Sequence, residues 1–333
     1  MAVTAAQAIA NYNANHSVAA QVVADTAANL LTSLTGLQTL QSASKLVSVT
    51  LTGTANSVTG AQATSIAALM GFAVGTGATL VVADTAANLL LAGNAAGVAK
   101  ATTVQLTGTS NSITAAQATT LASKPNFALA SGATLVVADT AANLLLAGNA
   151  AGVAKGTTIQ LTGTANSITA AQATTLAAVT GLTLASGATL VVADTASNLL
   201  LAGNASGVGK ATTVQLTGTS NSITAAQATT LAGTPNFALA SGATLIVADT
   251  AANLLLAGNA TGVGKATTVQ LTGTANSITA VQALSLAALP HFALASGASL
   301  TITGANTITA AQATTLALLC SCRHLLNWPC TFC

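Results

Sequence analysis

The chain has 333 residues, of which only 12 are formally charged: seven Lys or Arg and five Asp. Charged residues make up 4% of the chain, whereas an ordinary soluble domain has about 25%. A net charge of +2 with isolated lysines gives no basic footprint for nucleic acid or anionic lipid, and 52% hydrophobic residues argue against disorder. So few titratable groups also argue against an enzyme. We therefore predict no catalytic residue, no cofactor and no metal ion.

An internal repeat dominates the chain. The string Val-Ala-Asp-Thr occurs five times, with its aspartate at Asp25, Asp84, Asp139, Asp194 and Asp249. The numbers of the last four aspartates differ by 55 (139 − 84, 194 − 139, 249 − 194), and those of the first two by 59 (84 − 25). Residues 78–132 and 133–187 differ at only nine positions. Consecutive repeats are therefore expected to fold alike.

The first half of a repeat, residues 78–100, predicts a strand followed by a helix. Residues 79–83 are uniformly apolar apart from the first, which is typical of a strand covered on both faces. Asp84 or Thr85 is placed to cap a helix that begins at Ala86. We expect Gly93, with the asparagine after it, to end that helix.

The second half, residues 101–132, predicts a half-buried strand and a second helix. In residues 102–107 valine and leucine alternate with threonine and glutamine, which is the period of a strand with one buried face. Thr114 and Gln117 have the spacing of a capping box. Pro125, soon after the apolar run, is expected to mark the end of the helix.

Half of the 55-residue repeat, about 27 residues, is the length of one strand-plus-helix coil in a solenoid. We therefore predict an α/β fold: a right-handed repeat solenoid, with a parallel sheet on one side and short helices on the other. Residues 3–13 and 299–319 match the second half of the repeat. The predicted solenoid accordingly covers 1–319, and 320–333 form a cysteine-rich tail outside the repeat.

A membrane span is the alternative for residues 66–83, in which the only polar side chains are two threonines. Three glycines interrupt this run, and flanking anchors are missing. We therefore predict no membrane span. The first residues, Met-Ala-Val-Thr, lack the basic region of a signal peptide, so none is expected.

The strings DTAANL, S-V/I-x-L-T-G and SITAAQATTLA resemble the repeats of large Ala/Thr-rich bacterial surface proteins exported by type I secretion, the adhesin and hemolysin-type proteins. The resemblance implies an extracellular or cell-surface protein with an adhesive or structural role and no enzymatic activity. The glycine-aspartate nonapeptides that bind calcium in hemolysin-type proteins do not occur here. Calcium binding is therefore not implied.

The aspartates and asparagines each allow two interpretations. A metal site at each aspartate would have a single carboxylate, because neighbouring aspartates would lie about 10 Å apart; we favour helix capping. Asparagine recurs at three positions of the repeat, where we expect bonds between the turns of adjacent coils, with ligand contact as the alternative. These positions are Asn88, Asn94, Asn111, Asn143, Asn149 and Asn166.

Threonine and glutamine on the outer face of the second-half strand form the candidate surface-binding lattice. Its members are Thr103, Gln105, Thr107, Thr158, Gln160, Thr162, Thr213, Gln215 and Thr217. Such a lattice could bind an ordered surface (ice, mineral or glycan), and threonine is also simply a good residue for a solvated strand face. The leading prediction is a structural or adhesive module, with ordered-surface binding as the alternative. As partners we expect further copies of the chain or a longer array.

The tail differs from the repeat. It holds every cysteine, at Cys320, Cys322, Cys330 and Cys333. A zinc site formed with His324 is one interpretation, although the paired spacing of structural zinc sites is missing. A prenylation box at the C-terminal end is another. We favour a segment foreign to the repeat.

Overall fold

The computed structural model describes residues 1–303 and confirms the predicted fold class: an α/β fold of repeated strand–helix units with parallel sheets. The chain divides into two compact units. The first contains Met1–Thr162 and Val179–Ser186, and the second contains Gly163–Ala178 and the described residues 187–303. The predicted extent of the solenoid, 1–319, reaches past residue 303 and stays a prediction.

Four kinds of strand recur, and we name the first three after their polar residue. The aspartate strands are Gln21–Asp25, Leu80–Asp84, Leu135–Asp139, Leu190–Asp194 and Leu245–Asp249, with Leu300–Ile302 at the sixth place. The glutamine strands are Leu46–Leu51 (which has no glutamine), Thr103–Leu106, Thr158–Leu161, Thr213–Leu216 and Thr268–Leu271. The asparagine strands are Asn56–Val58, Asn111–Ile113, Asn166–Ile168, Asn221–Ile223 and Asn276–Ile278. The linking strands are Ala73–Val74, Ala128–Leu129, Leu182–Leu184, Ala238–Leu239 and Ala293–Leu294.

The second-half helices are single and well capped. They are Ala5–Ala14, Gly60–Ala67, Ala115–Ala122, Ala170–Ala177, Ala225–Ala232 and Ala280–Ala287. In the last five, which we call capping-box helices, the Thr side chain accepts from the third-residue amide and the Gln side chain accepts from the Thr amide. The capping box predicted at Thr114 and Gln117 is therefore confirmed.

The first-half helices are split, which corrects the prediction that Gly93 ends them. The helix Ala86–Leu90 stops at Leu91, whose backbone is extended, and a 3₁₀ turn and a second short helix follow. The later split helices are Ala141–Leu145 with Ala150–Val153, Ala196–Leu199 with Ala205–Val208, and Ala251–Leu254 with Ala260–Val263; the four 3₁₀ turns are Ala92–Asn94, Ala147–Asn149, Ala202–Asn204 and Ala257–Asn259, and Ala95–Val98 completes the first split helix. The first repeat has Ala27–Thr32 and Leu34–Ser42 instead.

A tertiary contact explains why the helix resumes. Gly97, in the second short helix, packs directly on the helix Gly60–Ala67, and a Cβ at this position would overlap the backbone nitrogen of Thr64. The side chain of Asn94 also donates to the carbonyl oxygen of Asn88 (2.9 Å) and holds the two short segments together. Gly93 has no positive φ, so it does not act as a left-handed helix stop.

Each four-stranded sheet is parallel and takes one strand of each kind, in the order asparagine, aspartate, glutamine, linking. The first unit has two such sheets, which begin at Asn56 and Asn111, and a three-stranded sheet that begins at Gln21. The second unit has two, which begin at Asn166 and Asn221, and the strand pair of Asn276–Ile278 with Leu300–Ile302.

The predicted parallel sheet is thus a series of short sheets, and the register shows why. Asn56 pairs with Leu80, and Val81 pairs with Thr103. The residue numbers advance by 24 in the first step (80 − 56) and by 22 in the second (103 − 81). Two such steps from strand to strand cover 46 residues (24 + 22), which is nine residues fewer than the repeat of 55. The remaining stretch is a glutamine strand and its turn, so Asn111 begins another sheet.

The strand alternation buries one face and leaves the other half-buried, so the aspartate strand is not covered on both faces as its apolar run predicted. In the aspartate strand Leu80–Asp84, the first, third and fifth residues are buried, and the side chain of Asp84 therefore lies on the core side. Val104 and Leu106 of the next strand are fully buried, as the pattern predicted. A carboxylate is thus placed at the inner end of each aspartate strand, beside the start of a helix.

Candidate functional site

The aspartate carboxylates connect two consecutive coils. Asp139 accepts a hydrogen bond at Oδ2 from the amide of Ala115, the first residue of the preceding capping-box helix (3.0 Å). Its Oδ1 accepts from the amide of Thr140 (2.8 Å) and from Nδ2 of Asn143 (2.7 Å). Asp25, Asp84, Asp194 and Asp249 accept the same three kinds of hydrogen bond.

This geometry corrects one alternative of the capping prediction. The helix that follows an aspartate strand is capped by threonine in four repeats. The Thr140 hydroxyl, for example, accepts from the amide of Asn143 (3.4 Å), whereas Thr195 makes no side-chain cap bond. The aspartate instead caps the helix of the preceding coil, because its side chain lies on the buried side of the strand, next to that helix start. Local spacing cannot reveal a partner that belongs to another coil.

The asparagine strands perform the matching task for the split helices. Asn111 accepts from the amide of Ala86 at Oδ1 (2.8 Å). Its Nδ2 donates to the carbonyl oxygens of Thr107, Gly108 and Thr134 at 2.9–3.0 Å. Asn56, Asn221 and Asn276 make the corresponding bonds. The prediction that asparagines bond the turns of adjacent coils is confirmed at the Asn111 position of the repeat. Asn88 instead donates to Asp84, and Asn94 to the carbonyl oxygen of Asn88, both within one half of the repeat.

Three hydrogen bonds per carboxylate leave a metal ion little to bind. Calcium requires six to eight oxygen ligands, and within residues 1–303 no three His, Cys, Asp or Glu side chains lie where they could hold a metal ion together. The same part of the chain has no buried side-chain polar atom without a hydrogen-bond partner. The polar interior is therefore occupied by helix capping.

Asp25 shows the electrostatic result of this capping. Burial alone would raise the pKa of its carboxyl group, but the hydrogen bonds from Asn29, Ala5 and Thr26 outweigh burial. The net effect lowers the pKa of Asp25 below its ordinary value, because each bond stabilises the charged form.

The predicted threonine and glutamine lattice lies on the outer face of the glutamine strands, and all nine side chains are half-buried. The rows are interrupted by apolar residues. Thr103 lies beside Val81, and Gln105 lies between Ala83 and Ala128. Thr158 and Thr213 likewise lie beside valines. The hydroxyls therefore do not form a continuous array, and ordered-surface binding stays a prediction.

The second unit contains a feature that sequence reasoning missed, a groove that occurs twice. We call it the hydroxyl groove. The first copy has a cavity volume of about 580 Å³ between the helix start at Thr195 and the turn 218–222, and the second has about 640 Å³ between Thr250 and the turn 273–277. Each lining contains leucines and hydroxyl side chains but no charged side chain.

One leucine of the groove recurs in four successive repeats. Leu201 and Leu256 are each 56% exposed. Leu91 and Leu146, at the same position of earlier repeats, are exposed to the same degree. The string Leu-Leu-Leu-Ala-Gly-Asn indicates this leucine in the sequence: its third leucine lies after the helix has ended and has no core to enter.

The predictions for the tail, including zinc binding, prenylation and its origin outside the repeat, fall on 320–333, outside the described residues. For the membrane alternative, the run 66–83 contains the end of one helix, a linking strand and the start of an aspartate strand. None of the helices found in residues 1–303 has both the length and the hydropathy that crossing a bilayer requires.

Comparison of the chain with protein family models, with curated proteins and with solved structures found no match in any of the three.

Proposed function

We propose that this chain is a non-enzymatic repeat module with a structural or adhesive role on the surface of a bacterial cell or outside it. The observation that carries the proposal is the use of the acidic residues. All five aspartates accept three hydrogen bonds each from the backbone and side chains of two coils. The carboxylates hold successive coils together and are not left free for chemistry. What the repeats offer to a partner is therefore a surface that recurs with every repeat.

A repeated surface acts through the number of its contacts. Weak contacts of identical geometry add up when their spacing matches that of the target, and avidity replaces a single tight site. The export of the resembling proteins supports a location outside the cell. The low charge supports association with further copies, since little electrostatic repulsion opposes it.

The experiment varies the number of repeats. The chain is coupled to beads at equal density in three forms: as it is, with residues 133–187 deleted, and with residues 133–187 duplicated. Retention of the beads on bacterial cells and on polysaccharide-coated surfaces under flow is measured. We expect retention to rise more steeply than linearly with repeat number, because contacts on one chain bind cooperatively. Retention that does not change among the three forms would contradict the proposal.

Sedimentation of the unchanged chain over a range of concentrations tests association between copies. We expect the apparent mass to rise with concentration. A dilute monomer over the whole range would exclude copies of the chain as partners.

A further inference from the structure

The hydroxyl groove has the lining of a binding site for a neutral ligand. Its two copies in the second unit have volumes of about 580 and 640 Å³, within the range of about 300–1,000 Å³ found for small-ligand sites. Neither lining contains a charged side chain. An ionic ligand would therefore leave water without gaining an opposite charge.

Polar groups in the first groove are free to bond a ligand. The hydroxyls of Ser197, Ser220 and Ser222 make no hydrogen bond to any described residue, and all three side chains are exposed. The Oε1 atom of Gln227 accepts from the amide and hydroxyl of Thr224 (3.0 and 3.3 Å). This fixes the side chain and leaves its NH₂ group to donate.

The lining of the first groove also has an apolar part. Leu200, half-buried, and Leu201, 56% exposed, line the same groove as these hydroxyls. A sugar ring has the complementary arrangement, because its C–H groups form an apolar face while its hydroxyls lie around the edge and both donate and accept hydrogen bonds. A lining with donors, acceptors and an apolar wall but no charge matches that ring.

We propose that the hydroxyl groove binds a neutral carbohydrate chain, with one segment in each groove. The inference rests on the adhesive role proposed above and names its ligand class. The two grooves lie one repeat apart in the second unit, which is two coils, or about 10 Å at ordinary strand spacing. Neighbouring grooves can therefore contact successive segments of one chain, and the weak affinity of each groove is multiplied.

The chain supplies its own matched control. Where the first groove has Ser197 and Ser220, the second has Ala252 and Ala275. The double variant S197A/S220A gives the first groove the alanines of the second, at exposed positions where the fold is unaffected. Ser206→Ala removes an exposed serine outside both grooves, and Leu201→Ser removes the apolar wall.

The experiment observes leucine methyl signals of the full chain by NMR during titration with maltohexaose, cellohexaose and N-acetylchitohexaose, with trigalacturonate as the anionic comparison. We expect at least one neutral oligosaccharide to shift the signals of Leu201, to shift those of Leu256 only at higher concentration because the second groove has Ala252 and Ala275 in place of two serines, and trigalacturonate to bind more weakly. S197A/S220A should weaken binding at Leu201 about fivefold or more, since two hydrogen bonds are lost, while Ser206→Ala changes nothing. Leu201→Ser, followed at the methyl signals of Leu200 in the same groove, should abolish binding at the first groove only.

Three results would overturn the inference: no methyl shift with any of the three neutral saccharides, shifts confined to signals outside the grooves, or Leu201 shifts that follow protein concentration without sugar, which would identify a second copy as the occupant. Bead retention that rises with repeat number although no groove methyl signal shifts with sugar would separate failure of this inference from failure of the adhesive role.

Discussion

The helices in the two halves of a repeat are both capped by a side chain from a neighbouring coil, but by different residues: aspartate for one helix and asparagine for the other. Asp139 accepts a hydrogen bond from the first amide of the helix that begins at Ala115, and Asn111 accepts one from the first amide of the helix that begins at Ala86. The remaining atoms face opposite surroundings. The carboxylate of Asp139 meets two further donors, whereas the NH₂ group of Asn111 meets three carbonyl oxygens. The number of donors and acceptors around each position therefore decides between aspartate and asparagine.

Exchanging the residue in the second half should have the largest effect. In Asn111→Asp, three carbonyl oxygens lose their donor and a carboxylate faces them, so we expect the free energy of unfolding to fall by about 3–5 kcal/mol. Urea unfolding monitored by circular dichroism measures the change. Hydrogen exchange should locate it at the coils that contain Ala86 and Thr134, because coils interact with their nearest neighbours. A loss below about 1 kcal/mol would show that the asparagine is not needed.

A steric contrast between the halves should come next. The split helix packs on the capping-box helix through Gly152, where a Cβ would overlap the backbone nitrogen of Thr119. We expect Gly152→Ala to lower the free energy of unfolding by about 2–3 kcal/mol, as overpacking does.

The control for this contrast is Gly148→Ala, in the 3₁₀ turn of the same split helix. A Cβ on Gly148 meets nothing within 4 Å and the residue has no positive φ, so we expect a change within about 0.5 kcal/mol of zero or a slight gain. Equal losses in Gly148→Ala and Gly152→Ala would show that backbone freedom, and not close packing, explains the glycine at the contact between the two helices.

The reverse exchange in the first half should have a smaller effect. In Asp139→Asn, one oxygen still accepts a hydrogen bond, while the new NH₂ group faces a donor. We expect the free energy of unfolding to fall by about 1–3 kcal/mol, measured by urea unfolding under the conditions used for Asn111→Asp. A larger loss here than in Asn111→Asp would reverse the proposed order of the two caps.

Lowering the pH should produce the smallest change in stability. Because a single carboxyl group is involved, the change is measured as the difference between the unchanged chain and an Asp25 variant. Because the pKa of Asp25 is lowered in the folded state, its bonds stabilise the fold above the unfolded-state pKa of about 3.9. That contribution is lost as the pH falls through the folded pKa. We expect the difference in stability between the unchanged chain and Asp25→Asn to shrink between about pH 6 and pH 3. A difference that stays constant over this range would exclude the coupling.

The resemblance and the repeat lead to the same interpretation by different routes. The adhesive role outside the cell that we propose has two supports: the strings resemble those of exported adhesins, and the bonds of the five aspartates leave the surface as the feature that recurs. The carbohydrate that we propose for the hydroxyl groove would give that role a ligand class. Its leucine, exposed at Leu91, Leu146, Leu201 and Leu256, was present in the sequence as a third leucine out of phase with the helix.

Sequence reasoning succeeded where a pattern depends on neighbours along the chain. The period of the repeat predicted the strand–helix coils, the alternation at Val104 and Leu106 predicted the buried face, and the spacing of Thr114 and Gln117 predicted the capping box. Each of these follows from the geometry of one strand or one helical turn, which is set by near neighbours in the sequence.

The tertiary structure alone decided the rest. The partner of Asp139 is the first amide of a helix in the preceding coil, Gly152 packs on that same helix, and the offset between repeat and register divides the strands into short sheets. Each depends on which residues of successive coils come to lie side by side, and that is determined by stacking in space. The local sequence determines the strand and the helix of each coil. The contact with the next coil determines which polar atoms are already bonded and which remain free for a partner.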